Sequence, residues 1–161
     1  MIAEVKVGWY NKNDESTMDI LGIPENDGLF QHPLYDESTF EYGFLLVKLD
    51  GTSSKEIAHI NDNPSVPASN TPLYVLGRGP TEAGGVGNFE TRLHDASVPF
   101  MENDTCELVR SHGGWTYQDL IKDSLLCAGA EDFSACEGDW GGPLVATSNS
   151  SPDVIVGVTS W

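Results

Sequence analysis

The stretch of this 161-residue chain best equipped for chemistry runs Cys136, Glu137, Gly138, Asp139, Trp140, Gly141, Gly142, Pro143, Leu144, Val145. Glycines this dense allow positive φ and close approach of backbone to a ligand. Successive backbone N–H groups in such a turn can form a concavity that binds an anion. Asp139 adds a carboxylate. Trp140 adds an indole, whose N–H donates and accepts nothing.

Turns of this kind need strands to hold them. An apolar strand follows the turn at once, and Val154–Trp161 reads as the last strand of the sequence. Leu73–Gly79 reads as a strand ending in glycines, and Phe89–Phe100 alternates loosely as another. Val5–Val7 alternates before a turn at Gly8. Phe44–Leu49 is an apolar run closed by Asp50-Gly51, which predicts a buried strand. Ile57–Ile60 predicts a short strand before the proline-bearing loop Asn61–Pro67. Asp104 stands where a helix N-cap would, with Glu107 three residues on, so Cys106–Arg110 predicts a short helix ended by Gly113-Gly114. Short strands, frequent turns and one helix predict an all-β barrel or sandwich. No repeat at a solenoid period is present.

The formal net charge is −17. That balance argues against nucleic acid, heparin-like polymers and anionic lipid as partners. No apolar run reaches the length of a membrane span. Residues 1–7 lack a basic segment followed by an apolar one, so no signal peptide is read. Asn11, Asp14 and Glu15 are oxygen donors in one acidic loop, but their spacing is not that of an EF-hand. The loop Pro80–Gly87 is glycine-rich without the Lys-Ser/Thr that a phosphate cradle would carry. No metal or cofactor is expected.

The 136–145 stretch resembles the active-site segment of trypsin- and chymotrypsin-like serine proteases, Cys-x-Gly-Asp-Ser-Gly-Gly-Pro-Leu-Val. Two further blocks resemble the same family in the same order: His32-Pro33-Leu34-Tyr35 followed by Gly43–Leu49, and Asp123–Gly129. Leu73–Gly79 resembles the family strand ending Gly-Trp-Gly, with Arg78 in the tryptophan place. The resemblance spans about Val5 to Trp161. It implies a chymotrypsin-like double β-barrel, incomplete at both ends. About 1–66 would be a partial N-terminal barrel and about 67–161 most of a C-terminal one, together a single protease-domain fragment. The block that should carry the triad histidine before His32 is absent, as is the family's last strand and helix after Trp161.

The resemblance places the triad serine at Trp140 and the triad aspartate at Gly43. His59 follows Gly43 in the chain, against the family order, and His32, His94 and His112 have no better claim. A serine hydroxyl needs an adjacent base and an orienting carboxylate to act as a nucleophile. All three are missing, so inactivity is expected. Gly138 and Trp140 match the oxyanion-hole amides. Asp139 matches the carboxylate that pairs with a new N-terminal amine on activation. Ser134 matches the floor of the primary specificity pocket. Ser160 and Trp161 match the strand that hydrogen-bonds a bound peptide. Cys106 and Cys127 are implied to form a disulfide, and Cys136 to be a free thiol. Leu73 and Ala146 hold the places of another family bridge. Asn103 and Asn149 begin glycosylation sequons.

Three functions stay open. The first is an inactive protease homologue that binds a peptide or protein, inhibitor- or carrier-like, and is secreted as its family is. The second is a fragment of a serine endopeptidase. The third is an incomplete gene model without function.

Overall fold

The computed structural model describes residues 4–69, 71–81, 88–110, 113–129, 135, 137–147 and 153–161. Among these described residues ten strands and one helical turn follow in order: β1 Glu4–Val7, β2 Asp19–Gly22, β3 Leu29–Gln31, β4 Leu45–Val47, β5 His59–Ile60, β6 Pro72–Gly77, β7 His94–Met101, α1 Asn103–Cys106, β8 Cys127–Ala128, β9 Pro143–Ala146 and β10 Val154–Val158.

The core grows from β6. Its residues alternate, so Leu73 and Val75 face one side of the sheet. Leu73 is fully buried. Val98 on β7 lies opposite it on one flank and Ala146 on β9 on the other, and Val75 lies opposite Leu144. These five residues form the buried cluster, with Ala96, Phe100, Val154 and Val156 packed against it. Full burial of one such leucine contributes on the order of 1.5–3 kcal/mol.

The larger sheet runs β5-β10-β9-β6-β7-β8. All neighbours are antiparallel except β5 and β10, which pair in parallel through Val154↔His59 and Ile155↔Ile60. A register shift between Ile155 and Gly157 bends β10 against β9. The sheet curls as half a barrel. Its concave side opens onto a trough of about 790 Å³ lined by Val75, Val98, Leu144, Val156, Leu125 and Trp161 among others.

Among the described residues the N-terminal part forms two two-stranded ribbons, β1–β2 and β3–β4. The all-β fold class read from the sequence holds. The buried strand expected at Phe44–Leu49 is corrected. Residues 45–47 are a strand, yet Leu46 is 70% exposed and Phe44 and Leu45 are also exposed. Among the described residues its only strand partner is β3 and no layer covers the ribbon, so apolar composition alone did not bury it.

The helix is also corrected. It is one turn, Asn103–Cys106, with Glu102 at the N-cap and no side-chain cap bond. Asp104 falls inside the first turn, where a carboxylate is favoured by the helix dipole rather than by capping. The chain continues as tighter turns, with Leu108 N–H bonded to Thr105 O and Val109 N–H to Cys106 O.

Arg78 ties the parts together. Its guanidinium donates to the carbonyls of Thr91 at 2.7 Å, Tyr10 at 3.0 Å and Trp9. It also lies 5.3 Å from the Trp9 ring, and Lys6 sits over the same ring at 4.4 Å. The rigid donor fork of arginine suits this three-carbonyl clasp.

Candidate functional site

The glycine-rich turn is formed. Gly138 has φ +96° and Gly141 has φ +81°, values that residues with a Cβ rarely adopt. A Cβ at Gly138 would collide with the Phe89 ring, and one at Gly142 with the Leu76 carbonyl. The backbone around the turn is stapled. Gly142 N–H bonds Asp139 O at 2.9 Å, Gly141 N–H bonds Thr159 O at 2.8 Å, and Thr159 N–H bonds Gly142 O at 2.8 Å. The last two hold the turn against the residue just before Ser160 and Trp161.

Asp139 is directed inward. Its Oδ1 accepts a hydrogen bond from Gly79 N–H at 2.7 Å. A Cβ on Gly77 would collide with the same oxygen, so the glycines closing β6 make room for this carboxylate. Trp140 is directed outward. It is 62% exposed and lies on the surface.

Gly43 sits at the near end of the same region. A Cβ built on it would lie 3.9 Å from Ser160 Oγ and 3.3 Å from Phe40 O. So two positions far apart in sequence, Gly43 and Ser160, are neighbours. The described histidines, His32, His59 and His94, are elsewhere. His32 Nδ1 accepts from Leu34 N–H at 3.2 Å, and its ring stacks on Tyr42 at 4.9 Å. His94 Nε2 lies 3.6 Å from Glu90 Oε2, and His59 is on the exposed edge strand β5. Among the described residues no histidine is hydrogen-bonded to a serine or threonine hydroxyl.

Cys106 and Cys127 form the disulfide, with Cα atoms 6.3 Å apart, and it fastens α1 to β8. Asn103 Nδ2 donates to Leu125 O at 3.2 Å. Ser134, Cys136, His112 and Asn149 lie outside the described residues.

The sequence reading missed an aromatic pocket beside Trp161. It measures about 350 Å³ and is lined by Ser38, Thr39, Phe40, Trp115, Asp119, Leu120, Lys122 and Trp161. Trp115 meets Tyr117 edge-on at 5.0 Å, and Tyr117 meets Trp161 at 5.8 Å, so three rings run in series. Their spacing in sequence gave no sign of it, because the pocket joins three separate loops.

The full span decides the family. The chain matches the trypsin family over residues 4–161. It belongs to the trypsin family. It is 34% identical over 137 residues to the serine proteinase stubble of Drosophila melanogaster, covering 81% of this chain and 17% of that protein. It is 30% identical over 146 residues to the human chymotrypsin-like elastase family member 3B, covering 86% of this chain and 52% of that one. It is 28% identical over 142 residues to a trypsin of Simulium vittatum, covering 83% and 51%. The trypsin-family chain thus spans about half the length of the elastase and trypsin relatives.

Leu73 and Ala146, to which the resemblance gives the two ends of a bridge, are direct cross-strand partners in this trypsin-family chain. Among the described residues no group of three or more His, Cys, Asp or Glu is gathered as a metal site requires, and no helix is long and apolar enough to cross a membrane.

Proposed function

We propose that this trypsin-family chain binds peptide or protein ligands without cleaving them. The observation that supports the reading is the exposed indole of Trp140 on a turn that is built and stapled, at the position the resemblance gives to the triad serine. An indole cannot be acylated as a hydroxyl can. Gly43 offers no carboxylate beside Ser160. Meanwhile Trp161, which with Ser160 matches the peptide-binding strand, borders an open aromatic pocket. Secretion belongs to the same proposal, and the Cys106–Cys127 disulfide is in keeping with an oxidising compartment.

A second reading is favoured by one observation, the coverage of about half of the elastase and trypsin relatives. On that reading the chain is part of a longer serine endopeptidase. The substitutions at 43 and 140 stand under either reading.

The test is an assay of the purified chain on peptide esters and amides, run beside a titration of tryptophan fluorescence with short peptides. Saturable quenching with no hydrolysis is expected. Hydrolysis that stops with a serine-directed inhibitor would overturn the proposal.

A further inference from the structure

We propose that the trough inside the half-barrel binds a long-chain carboxylate, a fatty acid whose head lies at Arg110 and whose tail lies along the apolar floor. The inference goes beyond peptide binding and does not rest on it.

The floor is the concave face of the sheet, Val75, Val98, Leu144 and Val156, and Met101 and Leu125 also line the trough. Its volume, about 790 Å³, lies within the range of about 300–1,000 Å³ usual for small-molecule sites. The central strands are hydrogen-bonded on both flanks: β6 to β7 and β9, and β9 to β6 and β10. Their backbone groups are spent within the sheet, so this face offers side chains alone. A peptide laid along it would leave its own N–H and C=O groups without partners, which is costly away from water. A hydrocarbon tail carries no such groups.

Charge selects the head group. Asp and Glu make up 25 of the 161 residues, yet none of the described residues lining the trough is either. Glu107 and Asp123 are near lining residues in sequence and do not line it. The one charged residue among the described lining is Arg110. Its backbone is fixed by an antiparallel bridge to Thr116, and its Nη1 donates to Gly114 O at 3.1 Å. A guanidinium has five N–H donors, and among the described residues no carboxylate pairs with this one. Its planar fork matches a carboxylate with two parallel hydrogen bonds. One cation on an apolar lining complements an anionic head on an apolar tail and opposes a basic ligand. A second copy of the chain would bring another −17, which works against its docking here.

The experiment titrates the intact chain with octanoate, decanoate and dodecanoate, and with decanol and decylamine, all below their micelle concentrations. Trp161 lines the trough, so tryptophan fluorescence reports binding, and equilibrium dialysis gives the stoichiometry. One carboxylate per chain is expected, with affinity rising on the order of tenfold for each two carbons added. Decanoate should bind more tightly than decanol, and decylamine most weakly. Arg110→Gln, at an exposed position, should weaken decanoate about tenfold and leave decanol unchanged. Gly157 also lines the trough, and a Cβ there would meet Leu126 and Leu144 only at ordinary contact, 3.4 and 3.8 Å. Gly157→Leu should therefore fold and exclude decanoate. Affinity independent of tail length, decylamine binding as tightly as decanoate, or decanoate binding unaltered in both variants would each overturn the inference. So would failure of every ligand to bind, and sedimentation as a dimer in that case would assign the trough to a second copy.

Discussion

Leu73 on β6 and Ala146 on β9 lie directly opposite each other, and both are buried, at 0% and 6% exposure. Directly opposed residues on antiparallel strands have Cβ atoms about 4.5–5.5 Å apart, near the range a disulfide spans. The double variant Leu73→Cys, Ala146→Cys should therefore oxidise without an isomerase. Truncating Leu73 costs about 2–5 kcal/mol, and a bridge over a loop of this length returns about 4 kcal/mol. Oxidised, the variant should unfold near the parent midpoint. Reduced, it should unfold at markedly lower denaturant. Thiols that stay free under oxidising conditions in a folded variant would show that the register is wrong.

Asp139 and Gly77 form a second coupled pair. Gly77→Ala drives a methyl into the carboxylate, and Asp139→Ala leaves the Gly79 N–H without its acceptor. Each change should cost about 1–3 kcal/mol in chemical denaturation. The double variant should cost less than the sum, because removing the carboxylate makes room for the methyl. Strict additivity would mean the two do not share space.

Trp140→Ser with Gly43→Asp sets a serine and an aspartate at the places that the resemblance gives to two members of the triad. The pair should still take up no fluorophosphonate label above that of the denatured protein, since no described histidine reaches a hydroxyl. Trp140→Ser alone removes only an exposed ring, so its midpoint should shift by no more than about 0.5 kcal/mol. Rapid labelling of either variant would contradict the reading of the site.

Arg78→Met keeps the length and loses the donors. Three carbonyl acceptors and a stacked indole are released at once. A loss of about 1.5–3 kcal/mol is expected. Hydrogen exchange should rise first across Glu4–Tyr10 and the residues near Thr91, while Leu73 and Val98 keep their protection.

Acid should weaken the fold through three aspartates. Asp14 and Asp36 are held below the usual carboxylate range by hydrogen bonds from Ser16 and Ser38, hydroxyl first and amide second. Asp19 is lowered by the Ser54 amide and then the Ser53 hydroxyl. A depressed folded value means the unfolded chain binds more protons. Stability is thus fully present above the unfolded value, about 4, and drains away as pH falls through the lower folded values. Thermal midpoints taken from pH 6 to pH 2 should fall only below about 4. In Asp19→Asn the fall should be shallower. Asp14 and Asp36 are exposed and Asp19 is half-buried, so salt should damp the effect, least at Asp19.

Residues that make regular patterns were legible before the coordinates. The run Leu73–Gly79, ending in glycines, located the central strand, the glycine-rich motif located the turn, and the resemblance located the Cys106–Cys127 disulfide. What escaped was set by neighbours far away in sequence. Phe44–Leu49 looked buried because burial was inferred from composition, while the covering layer is a property of the fold. Asp104 looked like a cap because capping was inferred from spacing. The pocket at Trp161 was invisible for a related reason. Phe40, Trp115 and Trp161 are each an ordinary aromatic residue until three loops bring them to one place.

The parallel joint between His59–Ile60 and Val154–Ile155 bears on how the molecule assembles. It links the middle of the chain to its last strand with a contact only two residues wide. Bringing such distant segments together costs entropy that so few hydrogen bonds return slowly. The seam should close last during refolding and part first under stress, setting the order of events rather than the depth of the energy well.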